Sequence, residues 1–467
     1  MDRATVVLIT LIAYKVILIG IGFWAERRTK SEEDYFLGGR GLGPLVAAIS
    51  YTASASSAWA LLGLSGAAFT LGLSVVWILI GVIAALFVTW YWIGPRMLEM
   101  SHREGFITLT DFLTHDASTK GRSAIAVLAS VIIVISFTAY VAAQFQGAGS
   151  SFNTAFGMSI ESSIFLGGTI IVIYTLMGGF WAVSVTDTLQ GLLMAVAALL
   201  LPIAALIAVG GPGQLIAALG ETATPAQLTL SAGNAGLAAL GMALGFMSVG
   251  LGTFGQPHLM NRFMALRDQT ALRQARHIAV GWYVIVYGGM VVLGLSARVL
   301  IPDIANPETL FFVLTTDLFP MIIGSILLAA VLSAIMSTAD SQLLVAASAV
   351  AHDLRLDARY PTKRLLVSRV AMAGVSVVAI IVAVYLPEAI FSRVLFAWNA
   401  IGAAFGPVVF LRLAGWHFRE HAVFASILTG FALTVLFYLR SDSPGDVLER
   451  LIPFLAAGLV LAAFRRR

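Results

Sequence analysis

The sequence predicts an all-α integral membrane protein of about thirteen transmembrane helices, and three observations carry that prediction. The 467 residues are 59% hydrophobic and 11% charged, with mean hydropathy +0.93, a balance that a soluble surface could not display. Apolar runs of about 20 residues, enough to cross ~30 Å of hydrocarbon, recur from near residue 4 to near residue 464 with short polar breaks. The 44 glycines suit helices that approach one another closely in lipid. Outer-membrane barrels are excluded, because their strands are short and alternate in hydrophobicity.

The first run, Ala4 to Trp24, is too long for a signal peptide and passes into Ala25-Glu26-Arg27-Arg28 without a small-residue cleavage site. Further spans are expected near 42–70, 73–95, 124–150, 162–181, 188–209, 235–260, 278–300, 318–350, 366–386, 389–411, 421–438 and 451–464. With the N-terminus outside, 22 of the 28 basic residues fall in cytoplasmic segments, Arg40, Arg96, Arg262, Arg355 and Arg412 among them. The positive-inside rule then predicts a cell-membrane protein with its N-terminus out and its C-terminus in the cytoplasm. Lys15 alone lies within a span, where snorkelling or a partner on a neighbouring helix would accommodate it.

Other features exclude function classes. There are no cysteines, so thiolate catalysis, disulfides and cysteine-bound metals are ruled out. All seven histidines fall in expected cytoplasmic loops or at adjacent helix ends, and neither a zinc site nor a buried histidine base is indicated. Gly38-Gly39-Arg40-Gly41-Leu42-Gly43 has the look of a phosphate loop but lacks the preceding strand, and reads as a flexible entry to the second span, with Arg40 near the inner gate. No exposed basic domain offers a nucleic-acid surface, and neither an obligate protein partner nor a soluble domain is evident.

Two spans are interrupted. The second carries Ser50-Tyr51-Thr52-Ala53-Ser54-Ala55-Ser56-Ser57-Ala58-Trp59, and the seventh carries Gly245, Gly250, Gly252 and Gly255 ahead of Pro257. Helix-poor segments five spans apart point to an inverted-repeat secondary transporter, whose unwound backbone faces ions and solute near the midplane. The expected organisation is a first helix and loop over 1–41, repeats over 42–209 and 235–411, an extracellular connection over 210–234, and C-terminal helices over 412–467. In the ninth span, Ser333, Ser337, Asp340 and Ser341 form one oxygen-rich stripe at helical spacing. An intramembrane acid needs a partner, and a small cation fits this one.

The chain resembles the sodium/solute symporter family, and within it the bacterial sodium/proline symporters. The resemblance rests on Asp34-Tyr35-Phe36-Leu37-Gly38-Gly39-Arg40, the run to Trp59, Gly178-Gly179-Phe180 with Thr186-Asp187-Thr188-Leu189-Gln190, Phe254-Gly255-Gln256-Pro257-His258, Met336-Ser337-Thr338, and Gly402-Ala403-Ala404-Phe405-Gly406-Pro407. It implies a five-plus-five inverted repeat of the leucine-transporter type with flanking helices. It also implies sodium-coupled import of a small solute, proline or another amino acid, and no enzymatic chemistry. Na+ is the implied coupling ion, held by the carbonyls of Ala53, Ser56 and Ala334 and the hydroxyls of Ser337 and Thr338. Asp187, Asp340 and Ser341 are candidates for a second sodium, with capping of a helix beginning near residue 188 as the structural alternative for Asp187. Back-bonding to carbonyls one turn earlier is the alternative for Ser337 and Thr338.

Ser57, Trp59 and Tyr140 are the implied solute contacts, to which Gln144, one turn after Tyr140, and Asn399 add polar lining. Three positions depart from the proline-symporter pattern. Ala55 replaces an aspartate, which Asp340 is expected to substitute electrostatically, so that Asp340→Asn would raise the sodium requirement. Val249 and Thr253 replace aromatic residues and predict a roomier, more polar pocket. Other readings are a proton-coupled carrier using Asp187 or Asp340, a sodium-coupled organic-acid carrier, and, from other classes, a membrane-embedded enzyme or a sensory module. An enzyme would need a convergent nucleophile, base or metal site, and the sequence offers none.

Overall fold

The computed structural model describes residues 3–26, 37–176, 180–354, 356, 363–440 and 443–465. Asp34, Tyr35, Phe36, Gly178 and Gly179 of the motifs, and the loop cations Arg27, Arg28, Lys30, Arg355, Arg359, Arg466 and Arg467, lie outside the described residues.

Regular structure among the described residues is helical, because a chain in hydrocarbon must pair its own N–H and C=O groups. In chain order the helices are α1 (Arg3–Glu26), α2 (Pro44–Ala58), α3 (Leu64–Leu71), α4 (Val76–Val88), α5 (Gly94–Glu104), α6 (Leu109–Leu113), α7 (Thr119–Phe156), α8 (Ile160–Thr175), α9 (Phe180–Val209) and α10 (Pro212–Thr222). They continue as α11 (Gly236–Ser248), α12 (Pro257–Met264), α13 (Gln269–Leu300), α14 (Leu310–Leu318), α15 (Met321–Ser348), α16 (Arg364–Tyr385), α17 (Ile390–Leu413), α18 (Glu420–Tyr438), α19 (Val447–Arg450) and α20 (Ile452–Ala463). Among the described residues, nine helical stretches are long and apolar enough to cross a membrane, and shorter apolar helices lie at Thr5–Ile21 and Ile160–Thr175.

One of the nine, Pro44–Glu104, is 61 residues long, about 90 Å at the usual helical rise of ~1.5 Å per residue and so far more than one crossing. Gly72 turns it, at φ +61, where a Cβ would lie 2.2 Å from the Gln227 carbonyl. A side chain there is excluded twice, by the dihedral and by the neighbour. The last expected span, 451–464, is the 12-residue helix Ile452–Ala463, about 18 Å long and shorter than the hydrocarbon core.

Local chemistry fixes several helix ends. Thr108 and Asp111 form a reciprocal capping box on α6. The Asp268 carboxylate accepts the Ala271 N–H at 2.7 Å and starts α13. Glu308, from a neighbouring loop, accepts the first two N–H groups of α17, from Ile390 at 3.0 Å and Phe391 at 2.8 Å.

Burial sorts the helices into centre and rim. In the most apolar windows, 83% of Ile390–Leu413 and 78% of Met321–Asp353 are buried, against 33% of Phe180–Val209, Leu366–Tyr385 and Glu420–Tyr438. So α15 and α17 form the centre. Rim helices present Phe165, Ile207, Val370 and Leu459 outward, as a lipid-facing surface requires.

Candidate functional site

The site begins where α2 stops being a regular helix. Ser57 has φ +57 and ψ −171, a backbone region that side chains other than glycine's rarely enter. Three hydrogen bonds hold it there. Gln144 Oε1 on α7 accepts the Ala58 N–H at 3.0 Å, Ser57 Oγ accepts the Trp59 N–H at 3.0 Å, and the Tyr140 hydroxyl donates to Ser57 Oγ at 3.3 Å. A π-helical turn, Trp59–Gly63, carries the chain into α3. Ser57, Trp59, Tyr140 and Gln144 are therefore brought together, all buried.

Aromatic rings enclose this cluster. Trp59 stacks on Phe391 at 5.8 Å and lies 6.1 Å from Tyr287, and Trp398 lies 6.5 Å from Tyr140. The Trp398 indole N–H donates to the Val249 carbonyl at 3.0 Å, which joins the second break to the same cluster. That break is the 3-10 segment Val249–Gly255, containing Thr253. The aromatic walls that Val249 and Thr253 do not supply thus come from α13 and α17, which sequence patterning did not single out. Asn399 sits beside Glu449 of α19. Beyond the Trp59–Phe391 stack lies a cavity of about 590 Å³, lined by Gly63, Gly66, Thr70, Gln146, Glu308 and Phe391.

About one turn before Ser57, at Ser54, α2 meets the polar stripe of α15. The Thr338 hydroxyl donates to the Ser54 carbonyl at 3.0 Å. Ser54 Oγ lies 3.4 Å from the Ser337 carbonyl, 3.5 Å from Ser337 Oγ and 3.0 Å from Ser341 Oγ. Thr338 reaches across to another helix, unlike Ser333, whose hydroxyl back-bonds to Ala329 O at 2.8 Å. Ala53, Ser56, Ala334, Ser337 and Thr338 are all fully buried. Gly191 lets α9 close on the other side of α2, since a Cβ there would meet that of Ala53 at 3.0 Å.

Below this contact lies an ion pair that sequence reasoning missed. Asp187 Oδ2 accepts from Arg262 Nη2 at 2.9 Å, from Ser50 at 2.7 Å and from Ser54 at 3.1 Å. The guanidinium also donates to Ser341 Oγ at 2.6 Å, to Ser50 Oγ at 3.1 Å and to the His258 carbonyl at 2.6 Å. Arg262 is not the loop cation that the positive-inside count takes it for; it is 1% exposed, on a wholly buried α12. Asp187 does not cap a helix either, because α9 starts at Phe180 and runs through it. His258, expected at a loop-side helix end, opens α12 but is fully buried. The apolar run Phe263-Met264-Ala265-Leu266 after Arg262 is the signal that the chain is still inside the bundle.

Asp340, on the same stripe of α15, turns toward α8. It accepts a hydrogen bond from the Thr175 hydroxyl on α8, and one turn earlier Met336 meets Lys15 of α1. Arg40, at φ +53, ties loops at one end of the bundle by donating to Ser101 Oγ and the Phe106 carbonyl, each at 2.8 Å.

A broken helix with a hydroxyl-bearing partner helix and an aromatic-walled cavity is the anatomy of an ion-coupled carrier. Comparisons with known proteins agree. The sodium:solute symporter family model matches residues 35–430, and this chain belongs to that family, one of sodium-coupled transporters and not of enzymes. Among relatives, it is 35% identical to the high-affinity proline transporter PutP of Bacillus subtilis, with 95% of this chain and 94% of that one covered. It is 34% identical to a sodium/proline symporter of Staphylococcus aureus over 93% and 86% of the two chains. Among solved structures, a Na+-coupled sialic acid symporter in a substrate-bound outward-open state superposes with TM-score 0.80 at 17% identity, covering 99% of both chains. MhsT in complex with L-phenylalanine superposes with TM-score 0.55 at 14% identity, over 91% of this chain and 98% of that one. The fold is thus the leucine-transporter-like one.

Proposed function

We propose that this protein imports L-proline, or a closely similar small amino acid, together with sodium. The observation that carries the reading is the contact between the broken α2 and the hydroxyl stripe of α15, anchored by the Thr338 to Ser54 bond. Sodium is held by the carbonyls of Ala53, Ser56 and Ala334 and the hydroxyls of Ser337 and Thr338. A small hard cation takes about six oxygen ligands, and unwound carbonyls with hydroxyls supply them without adding buried charge. The names of the relatives, proline transporters among them, favour proline as the solute.

The solute sits at Ser57, Trp59, Tyr140 and Gln144, with Val249 and Thr253 at its far wall and Trp398 between. The cavity beyond Trp59 and Phe391 is the outer vestibule. Residues 42–209 and 235–411 are the two repeats, and the N-terminus lies outside with the C-terminus in the cytoplasm. The Arg262–Asp187 pair closes the inner end of the pathway, joining α12 to α9, α2 and α15. Sodium holds the broken helix on α15 and so favours the solute-binding arrangement; by linkage, the solute tightens sodium by the same factor.

The test is uptake of radiolabelled L-proline into proteoliposomes. Accumulation under an inward sodium gradient, and none under an inward proton gradient alone, is expected. Accumulation driven by the proton gradient without sodium would overturn the ion assignment. A panel of other amino and organic acids competing better than proline would overturn the solute.

A further inference from the structure

Lys15 is the sole charged residue of α1 between Arg3 and Glu26. The buried residues of the helix are Val7, Leu11, Tyr14 and Leu18, spaced as one face, whereas Leu8, Ile9, Ile12, Val16 and Ile17 are exposed as a lipid-facing side would be. Lys15 lies four residues after Leu11, at the edge of the inward face. Either end of the helix is about 16 Å away at the usual ~1.5 Å rise per residue, beyond the reach of a lysine stem. Its ammonium does not leave the bundle. It lies 2.6 Å from the Met336 sulfur and 5.5 Å from the centre of the Tyr174 ring.

A thioether and a ring face are weak partners for an ammonium inside the bundle; the acid on the same face is Asp340, one turn after Met336 on α15 and bonded to Thr175, the neighbour of Tyr174. One oxygen of Asp340 takes the Thr175 hydroxyl, and the other, Oδ2, is fully buried without a hydrogen-bond partner. The neighbouring acid, Asp187, is already paired with Arg262 at 2.9 Å. Two acids, Asp187 and Asp340, and two fixed cations thus flank α15, one cation from α12 and one from α1. Tyr14, next to Lys15, fixes the face of α1 on α15 through a 2.5 Å contact between its hydroxyl and Ser333 Oγ.

We propose that Lys15 is a tethered cation that neutralises Asp340 in place of a second mobile sodium, so that the carrier binds one sodium ion and not two. This deepens, and rests on, the sodium-coupled reading above. It also changes the meaning of Asp340, which then adds no sodium ligand in the natural chain although it lies on the same helix as Ser337 and Thr338. Removing the ammonium leaves Asp340 Oδ2 and the Thr175 hydroxyl as the start of a vacant cation site. A sodium ion is the available occupant.

The experiment is equilibrium binding of radioactive sodium to the purified full-length protein, without solute, with melting curves to show that each variant is folded. One ion per wild-type chain is expected, two in Lys15→Met, one in Lys15→Arg, and one again in Lys15→Met/Asp340→Asn. Asp340→Asn alone decides the matter if Lys15→Met does not fold. An unchanged value of one supports the tethered cation, and a fall from two to one shows that Asp340 already holds a mobile ion and overturns it. A folded Lys15→Met protein that still binds one ion also overturns it. Failure of the underlying reading looks different: the wild type then binds no sodium at all.

Discussion

The two breaks in the bundle are built by opposite means. In α2 the chain is forced through an unfavourable conformation at Ser57, a residue with a side chain, and side chains from α7 hold it there through hydrogen bonds. In the Val249–Gly255 segment the chain yields because side chains are missing. A Cβ on Gly252 would lie 2.1 Å from the Trp398 ring, and one on Gly402 would lie 2.3 Å from the Gly252 Cα. The first break leaves hydroxyls and amides converging on a cluster, as binding requires. The second allows close packing between α17 and the segment, and its main polar offering, the Val249 carbonyl, is taken by Trp398. Polar chemistry marks the first break, and small residues mark the second.

That contrast can be broken in order of expected effect. Arg262→Ala comes first, since it leaves Asp187 buried without its countercharge; loss of one partner of a buried pair costs about 3–5 kcal/mol. Thermal unfolding in detergent should show the loss, and Asp187→Asn in the same chain should recover part of it. Gly252→Ala comes next. Overpacking costs about 1–3 kcal/mol, and the displaced Trp398 should carry the wall of the solute cluster with it, so proline uptake should fall along with the melting temperature. Normal uptake with Gly252→Ala would show that the second break tolerates a side chain and that the contrast is misplaced.

Ser57→Gly sharpens the comparison by giving the first break the chemistry of the second. The backbone strain, of order 1–3 kcal/mol, is relieved while the bonds to Tyr140 and to the Trp59 N–H are lost. Stability should change little, and half-saturation for proline should rise several-fold, as competition binding would report. A smaller effect belongs to Glu449, outside the spans, whose carboxyl burial pushes up to about 7 although Arg450 pulls it back. Its folded pKa lies above its ordinary value, so the folded state binds the extra proton between about 4.5 and 7. Stability from this group is therefore lost as pH rises through that window. Melting temperature should fall slightly from pH 5 to pH 7.5 in the natural chain, and less in Glu449→Gln.

Much of this was legible because membrane chains write their constraints locally. Span length, the hydroxyl run to Trp59, the glycines before Pro257 and the stripe from Ser333 to Ser341 each depend on near neighbours in sequence. The long helix Pro44–Glu104 hides its two crossings from length alone, yet the polar and glycine pattern separates them. Pairings across the bundle were not legible. Arg262 reads as a loop cation because the positive-inside rule counts charge along the chain and cannot see Asp187 on α9. Trp398, Tyr287 and Phe391 are not singled out by the sequence because their convergence on Trp59 and Tyr140 comes only with tertiary structure. Lys15 was visible as an anomaly, but its contact with Met336, 321 positions later, was not.

The central claim is that the hydroxyl stripe of α15 and the broken α2 together hold the coupling ion. The most direct measurement is the sodium activation curve of proline uptake in Thr338→Ala, beside the natural protein, in proteoliposomes. Loss of one of about six ligands, at roughly 1.4 kcal/mol for each factor of ten in affinity, should move half-activation to sodium concentrations at least ten-fold higher while the maximal rate at saturating sodium is largely recovered. An activation curve that overlies that of the natural protein would place the ion elsewhere and contradict the account.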